Sequence, residues 1–134
     1  MKAVLDTNVL IAAFLTEGIC AKLLVRARRR DFALILCDGI VQEFKRVLRK
    51  KFAVSPHDMS EALIILSEAA LEIHGRPDLI TPICRDSDDD LILACARDAV
   101  ADYVVTGDED LLVLKNFEGI SIVRPREFER LFSD

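Results

Sequence analysis

With 134 residues, 51% of them hydrophobic and 31% charged, the chain has the size and composition of one domain with a substantial core. It contains no 18-residue apolar span, so a transmembrane helix is excluded and no membrane association is expected. The net charge of −5 is unevenly spread: residues 22–51 carry +7 and residues 52–134 carry −11. This predicts a basic surface beside an acidic one, although solvated helix faces would give the same count.

The opening run MKAVLDTNVL places Asp6 and Asn8 inside its apolar stretch, which does not suit a signal peptide. Ala3 to Leu5 reads as a first strand and Asn8 to Phe14 as a short helix. Ala21 to Arg30 reads as a helix with a basic end, and Ala33 to Cys37 as a second strand. Ile40 to Lys51 is amphipathic, with Ile40, Val41, Phe44, Val47 and Leu48 on one face. His57 to Ala70 is a further helix and Leu71 to Ile73 a short strand. Pro77 and Pro82 frame a loop. Asp89 to Asp98 is helical, Tyr103 to Val105 a strand, and Asp110 to Leu114 a short helix. Ser121 to Val123 is a last strand, and Pro125 opens a final helix to Phe132.

Strands alternate with helices, and no hairpin signal stands out. This predicts an α/β fold, a three-layer α/β/α sandwich around a central parallel sheet, with residues 1–134 as one domain. Cys20, Cys37, Cys84 and Cys95 lack CxxC spacing and sit among apolar residues. They read as free core thiols of a cytoplasmic protein rather than a zinc site.

Ligands of open parallel sheets bind at the carboxyl ends of strands. Asp6 ends the first strand, Asp108 follows the strand at Tyr103 in VVTGDEDL, and RDSDDDL brings Asp86, Asp88, Asp89 and Asp90 before the helix between them. Glu43 lies on the edge of an otherwise apolar helix stripe. Each acid has an ordinary structural explanation. Asp6 and Asp108 suit helix caps, Ser87 with Asp90 suits a capping box, and Glu43 can pair with Arg46 or Lys50. Together they predict converging carboxylates, which repel one another unless a hard divalent cation lies among them. An all-oxygen set suits Mg²⁺ or Mn²⁺. There is no GxxxxGK[ST] loop, no GxGxxG after the first strand, and no nucleophilic serine with a histidine neighbour. An acid-only site points to metal-assisted phosphodiester hydrolysis.

Four blocks in order, VLDTNVLI, QEFKRVL, DSDDDLILACA and YVVTGDEDL, resemble the PIN-domain family over nearly the whole chain. Within that family the chain looks like the prokaryotic VapC-like toxin components of toxin–antitoxin pairs. The resemblance implies an endoribonuclease that cleaves single-stranded or structured RNA with water activated by Mg²⁺ or Mn²⁺, and members of the family are often single-strand-specific. By position it gives Asp6, Glu43, Asp90 and Asp108 as catalytic and metal-binding acids. Asp90 is favoured over its neighbours by its 18-residue separation from Asp108. Asn8 and Thr106 match supporting polar residues, and Asp88 and Asp110 stand as rival ligands. The basic residues Arg28, Arg29, Arg30, Arg49 and Lys50 are expected to guide the RNA backbone. A cognate antitoxin and a homodimer are the expected protein partners. The rival readings are a non-catalytic RNA- or protein-binding module and another acid-site phosphohydrolase. For a haloacid-dehalogenase-type phosphatase, Asp6-Thr7-Asn8 supplies Asn where a second Asp is needed. For a receiver domain, Arg124 stands where Lys is wanted.

Overall fold

The computed structural model describes residues 1–75 and 87–132. Strand β1 (Lys2–Leu5) leads into α1 (Thr7–Leu15) and α2 (Ile19–Arg28). Then β2 (Ala33–Cys37) leads into α3 (Asp38–Lys50) and α4 (Pro56–Ala69). The strand β3 (Ala70–His74) and helix α5 (Ser87–Asp98) precede β4 (Tyr103–Val105). The short α6 (Glu109–Leu112), β5 (Asn116–Phe117), β6 (Ile120–Val123) and α7 (Pro125–Glu129) follow. Among the described residues no single helix is long and apolar enough to cross a membrane.

The strands form one sheet in the order β3-β2-β1-β4-β6-β5, parallel except for β5. The chain steps outward from β1 through β2 to β3, then returns across the sheet to β4. Parallel crossovers are right-handed, so the outward helices α1–α4 lie on one face and the return helix α5 on the other. Burial follows from this. Ala3, Val4 and Leu5 of β1 are each fully buried, as expected of a strand covered on both faces. The chain leaves β1 in one direction for β2, while its other neighbour, β4, is reached later from the far side. The β1–β4 boundary is therefore the switch point, where a crevice opens at the carboxyl edge.

Two sequence expectations are corrected. The sheet has a hairpin, because β5 pairs antiparallel with β6 through Glu118 and Gly119, both at positive φ. That backbone is the one a tight two-residue hairpin needs, and a glutamate in the first of these positions hides the signal. Helix α5 begins at Ser87, within RDSDDDL. Asp86, Cys84 and the Pro77–Pro82 loop lie outside the described residues. The final helix ends at Glu129 rather than Phe132. It is anchored by Arg26, only 5% exposed, which donates to both carboxylate oxygens of Glu129 at 2.9 and 2.8 Å and pairs with Asp31. Phe128 fills the space beneath, edge-on to Phe32 and Tyr103.

Candidate active site

Asp6 extends β1 by one residue, its N–H bonded to the Val105 carbonyl of β4 at 3.1 Å. It is also the N-cap of α1: Oδ1 accepts the Val9 N–H at 2.9 Å. Its other oxygen accepts the hydroxyl of Thr106, which is fully buried just past β4. The same hydroxyl accepts the Asp108 N–H at 3.0 Å, and Asp108 in turn caps α6 by accepting the Asp110 N–H at 2.9 Å. Thus one chain of hydrogen bonds runs from α1 through Asp6, Thr106 and Asp108 to α6. Only 4% of Asp6 is exposed. Burial pushes its pKa above the ordinary carboxylate range, and the Asp108 charge adds to this, while the Thr106, Val9 and Asn8 hydrogen bonds partly offset it.

The other walls come from α3 and α5. On α3, Ile40, Phe44, Val47 and Leu48 are buried and hold the helix against the sheet, which leaves Glu43 half-buried on the cleft side. Its carboxylate pairs with Arg46 at 2.7 Å. The start of α3 approaches α5 closely. A Cβ on Gly39 would lie 2.3 Å from Leu91 Cδ2, so a side chain there would displace Leu91 from the cleft wall. At the end of β2 the Cys37 thiol has the Cys95 thiol as its hydrogen-bond partner, which lowers the pKa of Cys37.

The cleft is lined by Asp6, Thr7, Asn8, Gly39, Ile40, Glu43, Asp88, Asp89, Leu91, Ile92 and Asp108. Of the expected acids it brings together Asp6, Glu43 and Asp108. From α5 it takes Asp88 and Asp89; Asp90 is half-buried and is not part of the wall. Carboxylate oxygens of Asp89, Asp108 and Asp110 lie within 4.8 Å of one another. The reason is helical rotation of about 100° per residue. Asp89 continues the buried stripe of Ile92, Leu93 and Ala96, which spacing to Asp108 alone does not reveal. Leu91, Ile92 and Cys95 stand at the same offsets from Asp88, so the apolar run LILACA does not single out Asp89; its burial does.

The expected RNA guides fall elsewhere. Arg28, Arg29 and Arg30 close α2 just before β2 begins, at the amino edge of the sheet and opposite the cleft. Arg30 donates to the carbonyls of Ala69 and Glu68 at 2.6 and 3.1 Å, capping the end of α4. Arg29 pairs with Asp31. Arg49 and Lys50 occupy the last turn of α3, about 10 Å beyond Glu43 at 1.5 Å per residue.

Parallel strands between helices place this acidic cleft at the switch point, where open α/β sheets bind their ligands. A family model, the PIN domain, matches residues 2–110, a span that holds Asp6, Glu43, Asp88 to Asp90 and Asp108. The chain belongs to the PIN-domain family. Its fold is similar to a chain in the crystal structure of VapBC2 from Rickettsia felis bound to a DNA fragment from their promoter. The match covers 92% of this chain and 98% of that one, with a TM-score of 0.64 and 15% sequence identity. No curated protein sequence matches the chain.

Proposed function

We propose that this protein is a Mg²⁺- or Mn²⁺-dependent endoribonuclease, the toxin of a toxin–antitoxin pair. The observation that carries the reading is Asp6, a carboxylate 4% exposed and facing further acids across a cleft whose lining, among the described residues, holds no basic side chain. Such a set of oxygen donors fits a hard dication, which would offset the mutual repulsion of the carboxylates. Asp6, Glu43, Asp89 and Asp108 are the residues we assign to hold it, with Asp88, Asp90 and Asp110 flanking them. A bound dication supplies charge neutralisation and Lewis acidity toward water and the phosphate.

The chain's own residues do the positioning. Thr106 fixes Asp6 in one orientation and ties it to Asp108, so the two acids at the ends of β1 and β4 keep a constant separation. Asn8 and Thr7, on the first turn of α1, line the cleft beside Asp6. In hydrolysis a water oxygen bonds to phosphorus, the bond to the 3′ oxygen breaks, and that oxygen takes a proton. The products carry a 5′ phosphate and a 3′ hydroxyl.

The VapBC2 structure contains that complex on promoter DNA. Together with the motif resemblance, this supports a cognate antitoxin as partner. A homodimer and a cytoplasmic setting belong to the same reading. The test is cleavage of single-stranded RNA by purified protein in Mn²⁺, with Asp6→Asn and Asp108→Asn as controls. Metal-dependent cleavage lost in both variants supports the reading. No cleavage by the wild type, or full cleavage by both variants, overturns it.

A further inference from the structure

Arg46 stands one turn beyond Glu43 on α3, and its Nη2 donates to Glu43 Oε1 at 2.7 Å. On the α5 side, the charge of Asp88 also acts on this guanidinium, after the hydrogen bond and charge of Glu43. Both acids line the cleft, whereas Arg46 itself is 48% exposed at its mouth. Among the described residues the lining holds five carboxylates, Asp6, Glu43, Asp88, Asp89 and Asp108, and no Lys or Arg. Lys50, the next basic residue on the same face of α3, is a further turn away from the acids.

We propose that Arg46 is a phosphate-positioning residue of this cleft: it neutralises Glu43 in the metal-free protein and turns to a phosphate of the RNA strand when Glu43 is taken up by the dication. This rests on the nuclease reading above. Three arguments carry it. A dication and a guanidinium repel each other, so metal held by Glu43 weakens the ion pair. The pair is an exposed i,i+3 contact, weakly held and free to exchange partners. The released fork matches the paired oxygens of a phosphate, and a strand entering the cleft must pass its mouth. The basic residues at the amino edge are turned away from the acids, which leaves Arg46 the one on α3 next to them.

The test compares wild type, Arg46→Gln and Arg46→Lys as full-length proteins. Mn²⁺ affinity is measured by calorimetry, and kcat and KM for a single-stranded oligoribonucleotide are measured across a range of NaCl. Arg46→Gln is expected to bind Mn²⁺ about threefold to tenfold more tightly, because a competing cation has gone. Its KM should rise about tenfold with kcat little changed, through loss of one charge-assisted hydrogen bond. The salt dependence of log KM should flatten by about 0.7, the value for one phosphate contact to a single strand. Arg46→Lys should fall between in KM, since it keeps the charge and loses the fork. Unchanged Mn²⁺ affinity in Arg46→Gln overturns the inference, and so does tighter Mn²⁺ binding with an unchanged KM and salt slope. Wild-type protein that binds no Mn²⁺ or cleaves no RNA overturns the nuclease reading itself, and the inference falls with it.

Discussion

Thr106 and Asp6 are joined across the two central strands by a buried hydrogen bond in which the threonine hydroxyl is the donor. The same oxygen accepts the Asp108 amide, so one hydroxyl sets the relation between the acids of β1 and β4. Thr106→Val removes both contacts at nearly constant volume. It leaves an Asp6 oxygen and the Asp108 N–H without that partner, at an expected cost of about 1–3 kcal/mol. Thr106→Ser keeps the hydroxyl and loses one buried methyl, about 1 kcal/mol. Urea denaturation of the two variants measures the difference. Equal losses would mean that the hydroxyl contributes little and that Thr106 acts through packing.

Asp6 makes the protein's stability depend on pH in a particular direction. Its folded pKa is raised above 3.8, mainly by burial. The folded state therefore holds the proton more tightly than the unfolded chain. The associated stability is fully present below the unfolded value and is lost as pH rises through the folded value. Asp6→Asn, which keeps a cap-competent side chain, should match the wild type in acid and exceed its melting temperature at neutral pH without metal. Saturating Mn²⁺ should reverse the order, adding to the wild type about 2.7 kcal/mol at a hundredfold excess over Kd. Melting curves from pH 3.5 to 7.5 with chelator and with Mn²⁺ test both halves. A constant difference between the proteins across that range would show that Asp6 titrates alike folded and unfolded.

Asp89 and Asp90 separate two readings of α5. Asp89 is 6% exposed and lines the cleft, whereas Asp90 lies outside the lining. Asp89→Asn is expected to lose most Mn²⁺-dependent stabilisation and cleavage. Asp90→Asn should keep both and lose at most about 1 kcal/mol of stability, from reduced negative charge in the first turn of the helix. Mn²⁺ titrations followed by thermal shift, run beside cleavage assays, decide the matter. A loss confined to Asp90→Asn would return the ligand to the position implied by its spacing from Asp108.

What the sequence discloses follows from the range of each interaction. The amphipathic stripe of α3 and the apolar run of β1 are written locally, so they are legible, and with them the parallel sheet. Asp6 and Asp108 are legible because they follow strands directly, and strand ends share an edge. The choice among Asp88, Asp89 and Asp90 needs the rotation of α5 about its axis, which only its buried residues disclose. Arg30 is harder still. Its partners are carbonyls 38 and 39 residues away, and nothing in RRR distinguishes a guanidinium that caps a distant helix from one that faces solvent. The β5–β6 hairpin is hidden because Glu118, at φ 50°, takes a conformation usually given to Asn or Gly.

Arg30 yields the last prediction, because backbone and side chain make separable contributions there. Its φ is 66°, a left-handed conformation, and its guanidinium caps the end of α4. Arg30→Ala keeps the disfavoured backbone and loses the hydrogen bonds to Ala69 and Glu68, an expected destabilisation of about 1–2 kcal/mol. Arg30→Gly loses the same bonds but relieves the left-handed strain, and should recover about 1 kcal/mol relative to Ala. Chemical denaturation of the three proteins gives both differences directly. RNA affinity in the folded variants tests the placement as well. A guanidinium bound to α4 at the amino edge contributes little to a strand held at the carboxyl edge, so both variants should bind single-stranded RNA with the salt slope of the wild type. A slope flattened equally in Ala and Gly would show that Arg30 leaves its carbonyls for phosphate, and that RNA tracks around to the amino edge of the sheet.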